Sequence, residues 1–260
     1  VEVVILPDEA AVGSLVADAV CRLLAAKPDG VLGLATGSSP VPTYRELVRR
    51  RHAGAVSFAR ARGFLLDEYV GLPPGHPQAY RTVIQAELAS HVDFAAGAVQ
   101  GPDGTATDLP GACRAYEQAI AAAGGVDLQL LGIGSDGHLA FNEPGSSLSS
   151  RTRVKTLTAL TRSDNARFFD SPDDVPRHVL TQGLGTIREA RHLVLCAVGD
   201  RKAEAVAATV EGPVSASCPA SVLQLHPHVT VVLDEAAAAL LRLAGYFREA
   251  WAGKPPWQSI

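Results

Sequence analysis

The stretch VLGLATGSSPVPTYRELV, residues 31–48, decides the fold. Its first five residues form a short, nearly all-apolar run, the pattern of a strand covered on both faces. TGSSP then interrupts the run with a glycine and three hydroxyl side chains, and Val41, Tyr44, Leu47 and Val48 recur at helical spacing. The order is strand, polar glycine loop, helix. Upstream, Val12, Leu15, Val16, Ala19, Val20, Leu23 and Leu24 trace another amphipathic helix, which KPDG at 27–30 stops with a proline and a glycine. Downstream the same grammar returns: GFLL before DEY, VDLQLLGIG before SDGH, HLVLCAVG before DRK, and VTVVL before DE. Alternating buried strands and amphipathic helices predict a single-domain, doubly wound α/β fold over residues 1–260, with a mostly parallel sheet and helices on both faces. In such a sheet, ligands sit beyond the carboxyl ends of the strands, so the polar loops are expected to converge on one edge.

Composition narrows the partners. With 47% apolar and 19% charged residues, 260 residues suffice to bury a full core. A net charge of -4 leaves no electrostatic footprint for nucleic acid, and the one basic run, RELVRRR at 45–51, is expected to be a solvated helix end. No apolar stretch has the length of a membrane span, and VEVVIL at the start resembles a strand more than a signal peptide, so a cytoplasmic protein is expected. Cys21, Cys113, Cys196 and Cys218 lie far apart and are expected to be free thiols.

Three loops carry chemistry. Thr36, Gly37, Ser38 and Ser39 place hydroxyls and unhindered N–H groups at a helix start, which suits either a phosphate or an ordinary N-cap. It is not a P-loop, because no lysine follows the glycine. In FLLDEYVGLP, Asp67 and Glu68 leave a strand on opposite sides, so one of them faces the site at most, and a turn-capping role is the alternative. The sharpest loop is LLGIGSDGHLAFNEPGSS, residues 130–147, which crowds Asp136, His138 and Glu143 among glycines. A metal site would need further ligands close by, and His226 and His228, flanking Pro227, have the look of strand-entry structure. A serine-hydrolase elbow is absent from the sequence. What remains is a histidine oriented by acids for proton transfer, or a capped turn with a solvated glutamate.

The motifs TGSSP, LDEYVGLPPGHPQAY, GIGSDGHLAFNEPGSSLSSRTRVKTL, ARFFD, VPRHVLTQGLGTI and LQLHPHVTVVLDE, in this order, resemble the glucosamine-6-phosphate deaminase family over nearly the whole chain. Related sugar-phosphate lactonases share GIGSDGH but not the FNEP continuation. The resemblance implies a cofactor-free, metal-independent hydrolase of amino sugar metabolism and N-acetylglucosamine catabolism, which isomerises and deaminates a phosphosugar substrate. It implies Asp67 as the base between carbons 2 and 1, and His138 for ring opening with Asp136 and Glu143 orienting it. Phosphate binding would fall to Thr36, Gly37, Ser38 and Ser39 with Arg167 and Lys202. The family usually has Thr where Ser39 stands, which keeps the hydroxyl.

Some relatives are hexamers activated by N-acetylglucosamine 6-phosphate, and others are monomers. Ser146, Ser147, Arg153 and Lys155 match positions of that effector site, with Tyr246 a further candidate, and residues 149–170 would form a lid-like segment. The resemblance leaves the homo-oligomeric state open. A phosphosugar sensor without catalysis is the alternative of another class, but it would have no need of both Asp67 and His138, and it would commonly carry a DNA-binding module that finds no place in these residues.

Overall fold

The computed structural model describes residues 1–166, 169, 171–255, 257, 258 and 260. Seven parallel strands form the main sheet, in the order β1 (Glu2–Leu6), β10 (Val229–Asp234), β9 (His192–Ala197), β6 (Leu128–Leu131), β2 (Val31–Leu34), β3 (Arg62–Leu65) and β5 (Val99–Gln100). Every residue of β2, β6 and β9 is buried, which requires cover on both faces and explains why these strands read as nearly all-apolar runs. The helices are α1 (Glu9–Ala26), α2 (Val41–His52), α3 (Tyr80–Glu87), α4 (Leu109–Ala122), α5 (Ala159–Asn165), α6 (Leu184–Arg188), α7 (Ala203–Val210) and α8 (Ala244–Ala252), and among the described residues all but α5 contribute to the main core or pack on it.

Local signals set the helix ends. Asp8 accepts the Ala11 N–H at 2.8 Å to start α1, and the chain leaves at Lys27, whose N–H reaches Leu23 O at 2.7 Å. α1 and α2 cross so closely that a Cβ on Gly13 would lie 2.6 Å from the Pro42 carbonyl carbon. The basic run at 45–51 is only partly the solvated end expected. Arg50 reaches across this crossing to Asp18 (2.5 Å) and along its own helix to Glu46 (2.6 Å), and Arg51 pairs with Asp93 at 2.8 Å.

Gln129 of β6 is a wholly buried polar residue of the sheet, and its side chain lies over Gly33 on the neighbouring strand. A Cβ at Gly33 would approach its Oε1 to 1.9 Å, so the glycine is required by its neighbour. At the amino edge, Asp127 accepts from Lys27 Nζ (2.8 Å), the Val31 N–H (2.8 Å) and Arg191 Nη1 (3.1 Å), tying three crossovers together where no ligand is expected.

The departure from the sequence reading comes after β3. DEY is not a loop: it forms β4 (Asp67–Tyr69), which pairs antiparallel with β8 (His178–Thr181), and β8 with β7 (Arg153–Thr156), in a separate three-stranded sheet. Strands of three and four residues carry too few alternations to declare themselves. The lid-like segment expected at 149–170 therefore contains a strand of that sheet, β7. The four cysteines are free, with Cys113 and Cys196 buried.

His192 opens β9 and His228 precedes β10, and their rings stack with centroids 3.6 Å apart and planes 1° from parallel, which is strand-entry structure as the sequence suggested. His192 Nε2 also lies 3.0 Å from Thr230 Oγ1. Burial, followed by the neighbouring His228 and His226, lowers the His192 pKa to about 3, while burial and His226 lower His228. Because the folded value lies below the unfolded value of about 6.5, this stability is fully present above about pH 6.5 and is lost as the pH falls toward the folded value. The expected loss is roughly 2 kcal/mol between pH 6.5 and pH 5. Urea denaturation at the two pH values checks this, with His192→Gln flattening the dependence.

Candidate active site

The carboxyl ends of β2, β6 and β9 open into the loops singled out from sequence. After β2, the Tyr44 hydroxyl donates to Ala35 O at 2.6 Å and accepts the Ala35 N–H at 3.1 Å, pinning the start of the TGSSP loop from within α2. Gly37 takes φ +98° with open space where a side chain would stand. No side chain caps α2, whose cap position is Pro40, so the ordinary N-cap alternative is not realised. Thr36, Gly37 and Ser38 reach the surface and Ser39 is buried, leaving the helix start uncapped at the sheet edge, an arrangement suited to an anion. Lys202, in the turn after β9, reaches the end of β6, its Nζ donating to Ile133 O at 2.7 Å. The turn itself hangs on Asp234 at the end of β10, which accepts the Gly199 N–H at 3.0 Å. Arg167 lies outside the described residues.

In the loop after β6, Asp136 Oδ1 accepts the His138 N–H at 3.1 Å and lies 2.7 Å from its Nδ1. Contact with the imidazole holds the Asp136 carboxyl below its usual range. The imidazole rests on Gly134, where a Cβ would fall 2.2 Å from Cε1 and 2.3 Å from Nδ1. Gly134 thus makes room for the histidine, a role that its place in GIG did not disclose. Gly137 takes φ +83° between the two functional residues, and its carbonyl accepts the Ala220 N–H at 2.9 Å.

Farther along, the loop is stitched to β8. The Phe141 N–H donates to Thr181 Oγ1 at 3.2 Å, and Asn142 Nδ2 donates to Leu139 O (2.9 Å) and Gln182 O (2.8 Å). Asn142 Oδ1 accepts from Arg153 Nη1 at 2.9 Å. Glu143 is held differently from Asp136: its Oε1 accepts the Thr161 hydroxyl of α5. The structure therefore brings Asp136 onto His138 and attaches Glu143 to α5.

β4 separates the two adjacent carboxylates. Glu68 accepts the N–H groups of Tyr69, Tyr80 and Arg81, each at 2.9 Å, and so serves the first turn of α3. Asp67 points to the opposite face and is 6% exposed; burial, with the charge of Glu68 second, raises its pKa to about 8. Burial therefore favours the neutral acid, as in carboxyls tuned for proton transfer. Pairing places Asp67 opposite Thr181, and Thr181 opposite Arg153, so the three share one face of the small sheet. Of the other expected effector residues, Ser146 is buried, Ser147 Oγ lies 3.2 Å from Ser149 Oγ, Lys155 follows Arg153 on the same face of β7, and Tyr246 is exposed on α8. Tyr44, Gly134, Asn142, Thr161 and Thr181 escaped the sequence reading, because each acts through a neighbour distant in sequence or through missing side-chain volume.

A parallel sheet whose strand ends gather an anion loop, a lysine and an acid–histidine pair is the sugar-phosphate isomerase and lactonase type of α/β enzyme. 6-Phosphogluconolactonase from Trypanosoma cruzi shares the fold at a TM-score of 0.72 and 22% identity, covering 93% of this chain and 97% of its own. Residues 9–232 match the family of glucosamine-6-phosphate isomerases/6-phosphogluconolactonase, and the chain belongs to it. It is 66% identical to the glucosamine-6-phosphate deaminase of Mycolicibacterium smegmatis and 60% identical to that of Streptomyces coelicolor, with the full length of both chains covered in each case. The solved structure of a monomeric glucosamine-6-phosphate deaminase superposes at a TM-score of 0.90 with 42% identity, over 92% of this chain and all of its own.

Gly134→Ala is expected to preserve the fold, displace the imidazole from Asp136 and lower turnover on the order of 100-fold. A crystal structure of the variant and steady-state kinetics check the two halves of this expectation.

Proposed function

We propose that the protein is a glucosamine-6-phosphate deaminase, which converts glucosamine 6-phosphate and water to fructose 6-phosphate and ammonia without a cofactor. The observation that carries this reading is the 66% identity, over the full length of both chains, to an enzyme of that name. The site geometry supports the chemistry. The substrate phosphate lies at the start of α2 against Thr36, Gly37, Ser38 and Ser39, with Lys202 and Arg167 supplying positive charge. His138, oriented by Asp136, passes a proton between the anomeric hydroxyl and the ring oxygen to open the sugar, with Glu143 as the second acid at the loop. Asp67 lifts the proton from carbon 2 and returns it to carbon 1, through an enolamine. The carbon 2 imine that results is hydrolysed by water to the ketone, and ammonia leaves.

A buried carboxyl suits this base, because its desolvated anion holds a proton strongly enough to take it from carbon. N-acetylglucosamine 6-phosphate is the effector that Ser146, Ser147, Arg153 and Lys155 would receive. The lid-like segment of this reading, 149–170, includes β7, which is paired in the small sheet. Among the described residues no helix is long and apolar enough to cross a membrane; a phosphorylated substrate fits an enzyme working in the cytoplasm on amino sugars.

The purified protein is expected to release ammonia and fructose 6-phosphate from glucosamine 6-phosphate in excess chelator, and stimulation by N-acetylglucosamine 6-phosphate reports the effector site. Asp67→Asn should retain substrate binding and lose nearly all turnover. Because the free base has a pKa of about 8, kcat/KM is expected to rise with pH up to about that value and to fall by about tenfold for each pH unit below it. A pH-rate profile checks the limb, and a flat profile between pH 6 and 8 removes Asp67 as the base.

A further inference from the structure

Glu143 is the one acid of the loop whose side chain is attached to another part of the molecule. Its backbone is fixed on both sides. Asn142 ahead of it is bonded to Leu139, Gln182 and Arg153, Pro144 follows it, and its own carbonyl accepts the Ser146 N–H at 3.0 Å. What that backbone leaves undetermined is the direction of a side chain with three rotatable bonds, whose freedom amounts to about 1.5–2 kcal/mol of entropy when lost. The Thr161 hydroxyl removes it by donating to Oε1.

Thr161 is itself held at the start of α5. Its N–H donates to Thr158 Oγ1 at 3.2 Å and the two hydroxyls lie 2.9 Å apart, so the cap of α5 and the carboxylate belong to one hydrogen-bonded chain. α5 packs on the turn Pro172–Asp174, and the Arg162 Nε–H donates to Val175 O at 3.2 Å, while no described residue of α5 or that turn belongs to the main core.

We propose that Thr161 is a positioning residue: its hydroxyl aims the Glu143 carboxylate at the reacting sugar and makes that aim conditional on α5 being docked. With Oε1 engaged by Thr161, Oε2 is the oxygen left to serve the imidazole or the anomeric hydroxyl. Movement of α5 releases Oε1, and the acid loses its direction while Asp136 stays on His138 through the local turn. Docking of α5 then completes the acid/base set. This inference rests on the deaminase reading for its kinetic consequence, but the latch itself is a structural statement and is tested separately.

Thr161→Val keeps the shape and removes the donor; Thr161→Ser keeps the donor and removes the methyl. The Val variant is expected to lower kcat by about tenfold, the scale of one lost hydrogen bond to a charged group, with KM changed less than twofold, and the Ser variant to restore kcat. Hydrogen–deuterium exchange in the full protein without substrate is expected to be faster at residues 159–165 in the Val variant and unaltered in the Ser variant. An unchanged kcat in Thr161→Val, or an equal fall in both variants, overturns the proposal, the second because packing and not the hydroxyl would then be responsible. Should the wild-type protein release no ammonia, the deaminase reading fails, and the exchange comparison alone decides the latch: faster exchange in Val only supports it, and equal exchange in all three proteins overturns it.

Discussion

Parallel pairing is the constraint on which this molecule depends. Two neighbouring parallel strands cannot be joined by a tight turn, so each connection must cross back over the sheet, and a helix is the usual crossover. Every strand then ends at the same edge, and every polar loop that follows a strand opens there. β2, β6 and β9, adjacent or nearly so in the sheet, deliver the anion loop, the Asp136–His138 loop and the Lys202 turn to one place although they are spread over 170 residues of chain. The opposite edge carries structure instead, with Asp127 and the stacked histidines closing the crossovers.

Glycine has two different uses around the site. At Gly37 and Gly137 the backbone itself demands it, since both sit at φ values that side chains rarely adopt. At Gly33 and Gly134 the backbone would accept another residue, but a neighbouring side chain occupies the space a Cβ would need: Gln129 in one case, the His138 imidazole in the other. The second use turns absent volume into a positioning device. The imidazole has a backbone floor on one side and Asp136 at its Nδ1, which fixes both its plane and its direction.

The small antiparallel sheet does the work that the parallel one cannot. By leaving the main sheet after β3, the chain turns Asp67 into a buried face and gives Glu68 to the start of α3, so that two adjacent carboxyls of the same chemistry acquire opposite tasks. The same sheet carries Thr181 and Arg153 in line with Asp67, and through Phe141 and Asn142 it grips the loop that holds Glu143. Asp67, the loop that holds Glu143, and Arg153 and Lys155 of β7 are thereby attached to one three-stranded unit.

The sequence by itself determined the strand–loop–helix order, the parallel sheet, the opposed directions of Asp67 and Glu68, and the gathering of Asp136, His138 and Glu143 in one loop, while which of the two acids meets the imidazole was left to the fold. Each of these depends on periodicity or on partners within a few residues, where chain geometry permits only one outcome. Tertiary structure alone decided that DEY is a strand, that Glu68 serves α3 while Asp67 is desolvated, that Gly134 yields its volume to an imidazole, and that Glu143 is held by Thr161. Those facts depend on which segments meet in space. Burial, cross-strand register and missing volume are properties of that meeting, and a linear pattern does not encode them until the chain has folded.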